Sequence, residues 1–485
     1  MSPHPTHALI GFFLVVLATS IGSFPFQQLL ITLVCQPLLG VGSTYPTCAA
    51  SGEVQQLAAF WSLVFMLCDQ VPTLLLLLVA GPLVDGKLGR RGAMLLGAAS
   101  VTLSAVQFII ASIALNNVEH ANVNMILGLL VLIAIAAGLA GSVVLFRVAA
   151  VAYISDIAPV QERTKYFMLV DAAFALALIM GPVLGGVLTD TVGFFITFTV
   201  MLAVSVSLLA YLLLFVKESR VAPPQSSTEN GSLSRILIDS VSSTVKTIKS
   251  MLEFKTATSL LLVMIILTLL ISGFQVLYLY SPANRFGWTA LDTGKFAVIA
   301  AIQTILWLVV FLPRLTTLAT HTFHMHKTVA EIRILQTGVL AASIGCVLYG
   351  LAQTGTQFIL ASIVTVMSCF ANPNIRSLLS VLVPAEFQGR LFSAIQILES
   401  CAMIVSGITL NSVYRATVDF APEFCFFVVA GFLGLAFFIA AFGVTKDGVG
   451  EMMNSGMETS MDDGGASRIV EAGATDGERL LRHDE

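Results

Sequence analysis

Long apolar runs separated by short polar connections occupy most of the chain. Each of twelve runs can cross hydrocarbon as an α-helix, which takes about 20 mostly apolar residues because no water is available there to satisfy backbone groups. They fall at roughly 8–34, 55–84, 92–114, 123–155, 165–187, 193–216, 257–281, 292–313, 331–352, 357–381, 390–413 and 422–444. The pattern predicts an all-α membrane protein with twelve transmembrane helices.

Composition agrees. Of 485 residues, 57% are hydrophobic and 11% charged, and the mean hydropathy is +0.92, against an apolar share of roughly 45–50% in soluble domains. The lipid bilayer is therefore the first partner. The formal charge of −4 is scattered over loops and tail, so no nucleic-acid partner is expected. The first run is too long for a signal peptide and has no basic segment before it, so it reads as a retained helix.

Basic residues set the orientation. Lys87, Arg90, Arg91, Arg163, Lys165 and Lys217, with most of the others, fall in or beside every second connection; the opposite connections hold Arg285, Lys295 and Arg415. Twelve spans then put both termini in the cytoplasm. Of seven cysteines, Cys68, Cys346, Cys369, Cys401 and Cys425 lie in apolar runs and read as core packing. Cys35 and Cys48 flank the first outward loop, "CQPLLGVGSTYPTC", where an oxidising face leaves two options, a disulfide or two free thiols.

Between spans six and seven the sequence turns polar and Pro-, Ser- and Gly-containing, "KESRVAPPQSSTENGSLSR", which marks a linker. The expected organisation is a six-helix bundle over 1–220, a cytoplasmic linker with an amphipathic helix over 221–255, a second six-helix bundle over 256–445, and a disordered acidic tail over 446–485. A weak repeat supports the division. "ISDIAPVQERTKYFMLVD" and "LSVLVPAEFQGRLFSAIQILE" each carry Pro, then Gln-x-Arg, then a helix interrupted by an acid, Asp171 or Glu399. Such repeats are typical of secondary transporters.

The loop after span two reads "GPLVDGKLGRRG", with Gly81, Asp85, Gly89, Arg90 and Arg91. Glycines allow helix ends to approach closely, and the acid and arginines can latch across the cytoplasmic face; an ordinary positive-inside loop is the plainer alternative. The pattern G-x-x-x-D-x-x-x-G-R-R resembles the loop signature of the major facilitator superfamily, with one more residue between acid and second glycine. The resemblance implies two six-helix bundles rocking about a central cavity. Asp85 and Arg90 would then hold the inner side closed, with Asp156 at the inner end of span four belonging to the same gate. "VAYISDIAPVQERTKYFMLVDAAFALALIMGPVLGG" and "NIRSLLSVLVPAEFQGRLFSAIQILESCAMIVSGITLNSVYRATVDFAPEF" are similar to segments of the proton-coupled folate transporter family, solute carrier family 46. This implies a proton-coupling role for Asp171, and coupling and substrate handling for Arg376. Gly181, Pro182, Gly185 and Gly186 resemble the antiporter motif of drug exporters, with Ala177 where that motif has a glycine.

Depth brings the charges into pairs. Arg147 lies nine residues before Asp156, and Asp171 eight after Arg163, which puts both about 12 to 14 Å inside on adjacent antiparallel helices. Either they form a permanent ion pair that fixes packing, or the pair breaks as the bundles rock and the carboxylate exchanges a proton with each cycle. Arg376 and Glu399 form the counterpart in the second half. Asp69, just before Pro72 in "MLCDQVPT", and Lys295, in "GWTALDTGKF", are candidates for a substrate cavity, against the plainer roles of helix packing and of reaching the surface. No nucleotide-binding glycine loop of the form GxxxxGK[ST] occurs, and neither a cofactor nor a metal is expected.

The reading is therefore a non-enzymatic secondary transporter moving a small organic solute, organic anions among the options, with protons and with no obligate protein partner. A proton/drug antiporter, or a sensor or scaffold with the same fold, are the alternatives. The tail pattern around Asp476, Leu480 and Leu481 resembles an acidic dileucine sorting signal, which adds the vacuolar or lysosomal membrane to the plasma membrane as a location.

Overall fold

The computed structural model describes residues 4–40, 43–84, 88–116, 123–157, 163–219, 242, 249, 251–272, 281–322, 324, 327–380 and 388–450. The first six crossings are built from α1 (Pro5–Leu39), the short α2 (Tyr45–Ala50), α3 (Gly52–Val84), α4 (Gly89–Asn116), α5 (Val123–Leu139), α6 (Ser142–Ile157), α7 (Arg163–Val192) and α8 (Phe194–Phe215). The second six comprise α9 (Lys255–Ser272), the short α10 (Ser281–Phe286), α11 (Ala290–Leu306), α12 (Leu312–Thr317), α13 (Lys327–Leu351), α14 (Gly355–Thr365), α15 (Ala371–Ser380), α16 (Gln388–Thr417) and α17 (Phe424–Gly443). Among the described residues nine segments meet the length and hydropathy of a complete span; α9 and α14 are shorter apolar helices. The eighth crossing continues from α11 through π-helical turns at Trp307–Phe311 and Leu318–Thr322, and the tenth runs through a 3-10 turn at Val366–Phe370. Large apolar side chains such as Leu214, Phe438 and Phe442 face outward, as expected where the surroundings are acyl chains. The protein is a multi-pass integral membrane protein.

Local signals explain the helix starts. His4 accepts a hydrogen bond from the Thr6 amide, with Pro5 at the first helical position of α1. Thr289 and Asp292 form a reciprocal capping box at the start of α11. Arg285 in α10 donates to the carbonyls of Tyr349, Gly350 and Ala352 at the end of α13, where a cation suits the negative end of the helix. Burial pulls the Arg285 pKa below its ordinary value.

Two local features add detail to the sequence reading. Span four is not one helix: it breaks between α5 and α6, where Gly141 has φ +90° and Ser142 φ +52°. The tail expected to be disordered from 446 begins with a helical turn over 446–450, and Val449 there is buried. The amphipathic helix expected over 221–255 and the tail beyond 450 fall largely or wholly outside the described residues.

The two helix sets meet at one end, that of Cys35 and Cys48, which are joined as a disulfide. There Tyr45 Oη donates to the Trp288 carbonyl (3.1 Å), Asn284 Nδ2 to the Ala49 carbonyl (3.2 Å), and the Ala290 amide to Gln28 Oε1 (2.7 Å). On the other side of the seam Gln56 Nε2 donates to Asp419 Oδ2 (2.5 Å) and Tyr414 Oη to Gln55 Oε1 (3.4 Å). Backbone approaches backbone along α7: a Cβ on Gly186 would stand 2.7 Å from Leu291 Cα, and one on Gly294 2.7 Å from the Pro182 carbonyl oxygen. Gly181 and Gly185 similarly admit the α1 backbone at Ser20 and Ile21. Small residues let membrane helices pack this closely. Replacing Gly185 with Val forces α7 off α1 and is expected to destabilise the fold by about 1–3 kcal/mol, seen as a lower thermal unfolding midpoint of the purified protein.

Candidate functional site

Mid-depth in the first helix set, α1, α3, α4, α5, α6 and α8 enclose a cavity of about 340 Å³. The break in span four forms part of its wall, through Ala134 and Ala137 on one side of the break and Ser142 on the other. Breaking a helix inside hydrocarbon frees carbonyls that must find donors. At the break the carbonyls of Ala137 and Gly138 keep turn-type bonds from the amides of Ala140 (3.1 Å) and Gly141 (2.9 Å), and each accepts a second donor: Ser100 Oγ on α4 to Ala137 (2.7 Å) and Thr73 Oγ1 on α3 to Gly138 (3.1 Å). Gly138 is required at this point, because a Cβ would collide with the backbone of Asp69.

Asp69 lines this cavity and accepts a hydrogen bond from Gln70 Nε2 (3.0 Å). Lys295 does not share it: it sits at the disulfide end, exposed, and pairs with Asp292 at 3.1 Å. The two residues expected to line one solute cavity are thus separate.

At the end opposite the disulfide the arginine loop is held by its own helix set. Arg90 Nε pairs with Asp156 Oδ2 (3.0 Å), which also accepts from Ser219 Oγ (3.1 Å). Glu218 caps α4 across chain segments, accepting the Arg90 and Arg91 amides at 2.9 and 3.1 Å. Arg91 in turn donates to the Leu212 and Leu213 carbonyls at the end of α8. The second glycine of the loop signature has a physical reason here: Gly89 has φ +70°, and a Cβ would strike the Glu218 carboxylate. Gly81 lies within α3, while Asp85 falls outside the described residues.

The charge pairs expected at depth are placed only in part. Arg147 is exposed on α6 and Glu399 half-buried on α16. Asp171 is carried by α7 and Arg376 by α15, with both side chains outside the described residues. Glu218, Gln107 and the Gln56–Asp419 contact did not stand out in the sequence. The spacing of Ser100, Ser104 and Gln107, which puts three polar residues on one face of an apolar helix, was the available signal for the cavity wall.

A twelve-helix bundle with two six-helix sets and a tethered arginine loop defines a transporter fold of the facilitator type. The chain belongs to the Major Facilitator Superfamily, whose family model matches residues 9–407. It is 25% identical over 386 residues to the MFS-type transporter avaJ of Aspergillus versicolor, covering 75% of this chain and 73% of that protein. It is also 25% identical over 390 residues to the proton-coupled folate transporter of Rattus norvegicus, covering 79% and 78%. Among solved structures a D-xylose-proton symporter superposes with a TM-score of 0.64 over 91% of this chain and 97% of that one, at 17% identity, a likeness of fold alone.

Removing the inter-segment cap by Glu218→Ala is expected to cost about 1 kcal/mol of stability, with Glu218→Gln, which keeps acceptor oxygen, losing less. Thermal unfolding of the three proteins side by side measures this.

Proposed function

We propose that the protein is a proton-coupled secondary transporter that moves a small organic solute by alternating access between its two six-helix sets. The carrying observation is the seam at the disulfide end. There, backbone approaches at glycines and a handful of cross-set hydrogen bonds join the two sets over a shared buried apolar cluster, a contact that opening to the outside would have to separate. The positive-inside pattern puts this end outside and the Arg90, Asp156 and Glu218 cluster in the cytoplasm, together with both termini. The state described here is then closed to the outside.

Proton coupling draws support from the printed description of the rat relative, a proton-coupled transporter. Asp171 carries or gates the proton, Arg147 is its partner, and Arg376 with Glu399 forms the counterpart in the second set. A carboxylate that loses and regains its cation during the cycle changes protonation with it. The membrane is the plasma membrane or that of a vacuole or lysosome.

Uptake into proteoliposomes under an imposed pH gradient tests the reading. A symporter accumulates solute from an acidic outside; accumulation under the reversed gradient identifies an antiporter, and flux in neither direction a sensor or scaffold. The variant Asp171→Asn is expected to lose pH-dependent flux while retaining exchange of solute down its own gradient. Unchanged pH dependence in that variant rejects the proton role of the residue.

A further inference from the structure

The cavity inside the first helix set contains one charged side chain, Asp69, and no basic one. An ionised carboxylate at this depth is costly without a counter-charge or water. Asp69 accepts one hydrogen bond, from Gln70, and pairs with no cation among the described residues. The remaining polar lining combines the side-chain amides of Gln27, Gln70 and Gln107 with hydroxyls, and four of the hydroxyls have their hydrogens committed. Thr19, Ser23, Ser100 and Ser104 donate their hydroxyl hydrogens to the carbonyls of Val16 (2.9 Å), Ser20 (3.1 Å), Ala137 (2.7 Å) and Ser100 (3.2 Å). A hydroxyl committed in this way offers only lone pairs to whatever lies beside it.

Gln107 is the second, independent observation. It is 4% exposed, it lines the same cavity, and its amide has no hydrogen-bond partner among the described residues. Its amide atoms reach the open space of the cavity, where water or a bound ion can partner them. The volume holds about ten waters at ~30 Å³ each, so an ion can enter with part of its hydration.

We propose that this cavity binds a hydrated monovalent cation, with Asp69 as counter-charge and the Gln107 amide oxygen and committed hydroxyls as further donors. Carboxylate, amide and hydroxyl oxygens are hard ligands suited to such an ion. An alkali ion and a hydrated proton share this chemistry. Every lining residue among the described ones belongs to the first set, and Met66 on the cavity wall packs against Gly407 of the second. The site does not depend on the coupling role of Asp171.

The titratable or charged groups on the helices packed against α3 are His7 on α1, Tyr45 on α2, Arg90 and Arg91 on α4, Arg147, Tyr153 and Asp156 on α6, and Arg390, Glu399, Cys401, Tyr414 and Arg415 on α16. On α3 itself they are Glu53, Cys68 and Asp69. Of all these, Asp69 alone lines the cavity.

The test is thermal unfolding of the purified full-length protein in sodium, potassium or choline chloride at equal ionic strength, at acid and at neutral pH. Choline, a bulky quaternary ammonium whose charge is shielded by methyl groups, serves as the inert salt. An alkali-ion site raises the midpoint by about 2 °C or more in sodium or potassium over choline at neutral pH. That difference fades at acid pH and is absent in Asp69→Asn. A proton site gives no difference between salts but a midpoint that rises on acidification in the wild type and not in Asp69→Asn. Asp69→Glu, which keeps the charge, retains either response, and Ser104→Ala, which removes one oxygen and no charge, weakens it. Wild type and Asp69→Asn responding identically to every salt and pH overturns the proposal.

Discussion

A backbone carbonyl that loses its helical partner inside a membrane has no water to turn to, and this requirement governs the middle of the first helix set. The fourth crossing breaks at Gly141 and Ser142, both in the left-handed region, where only glycine sits at little cost. At the break the carbonyls of Ala137 and Gly138 stay bonded to the amides of Ala140 and Gly141, and hydroxyls from two neighbouring helices, Ser100 on α4 and Thr73 on α3, add a second donor to each. The same arrangement draws α5 onto α3 at Gly138 and opens the space beneath it that Asp69 and Gln107 share. Cavity, close approach and helix break are therefore one structural event, set by the cost of an unsatisfied polar group in hydrocarbon.

The two ends of the molecule are held by different physics. At the disulfide end the helix sets touch through glycines and short polar contacts. Contacts of this kind align backbones closely, and they lie beside buried apolar side chains that both sets contribute to one cluster. At the opposite end the charged groups tie helices of the first set to one another. Glu218 and Arg91 act as caps, one at the start of α4 and one at the end of α8, while Arg90 and Asp156 join α4 to α6. These contacts stiffen one body, whose rigid movement against the other is what alternating access needs.

Much of this was legible along the chain. Twelve apolar runs correspond to twelve crossings, because a span in lipid must be apolar over its full length and that constraint is local. The glycines at 181, 185 and 186 and the arginines at 90 and 91 stood out by spacing. Of the two roles open to Lys295, the plainer one is seen: it reaches the surface and pairs with Asp292 three residues before it, a local contact set by helical spacing. The break in span four was invisible since Gly141 and Ser142 look like ordinary small residues in an apolar run; hydroxyls elsewhere in the chain make the break affordable.

The residue order alone thus settles which segments enter the membrane, which loops are charged, and where helices can start, all of them matters of near neighbours and of transfer from water to lipid. Which helices touch, which carbonyls are rescued by which hydroxyls, and which polar groups share one enclosed space depend on residues dozens of positions apart. Those outcomes follow from the packing of twelve helices at once, since a polar group inside the bilayer is defined by whatever partner the fold brings to it.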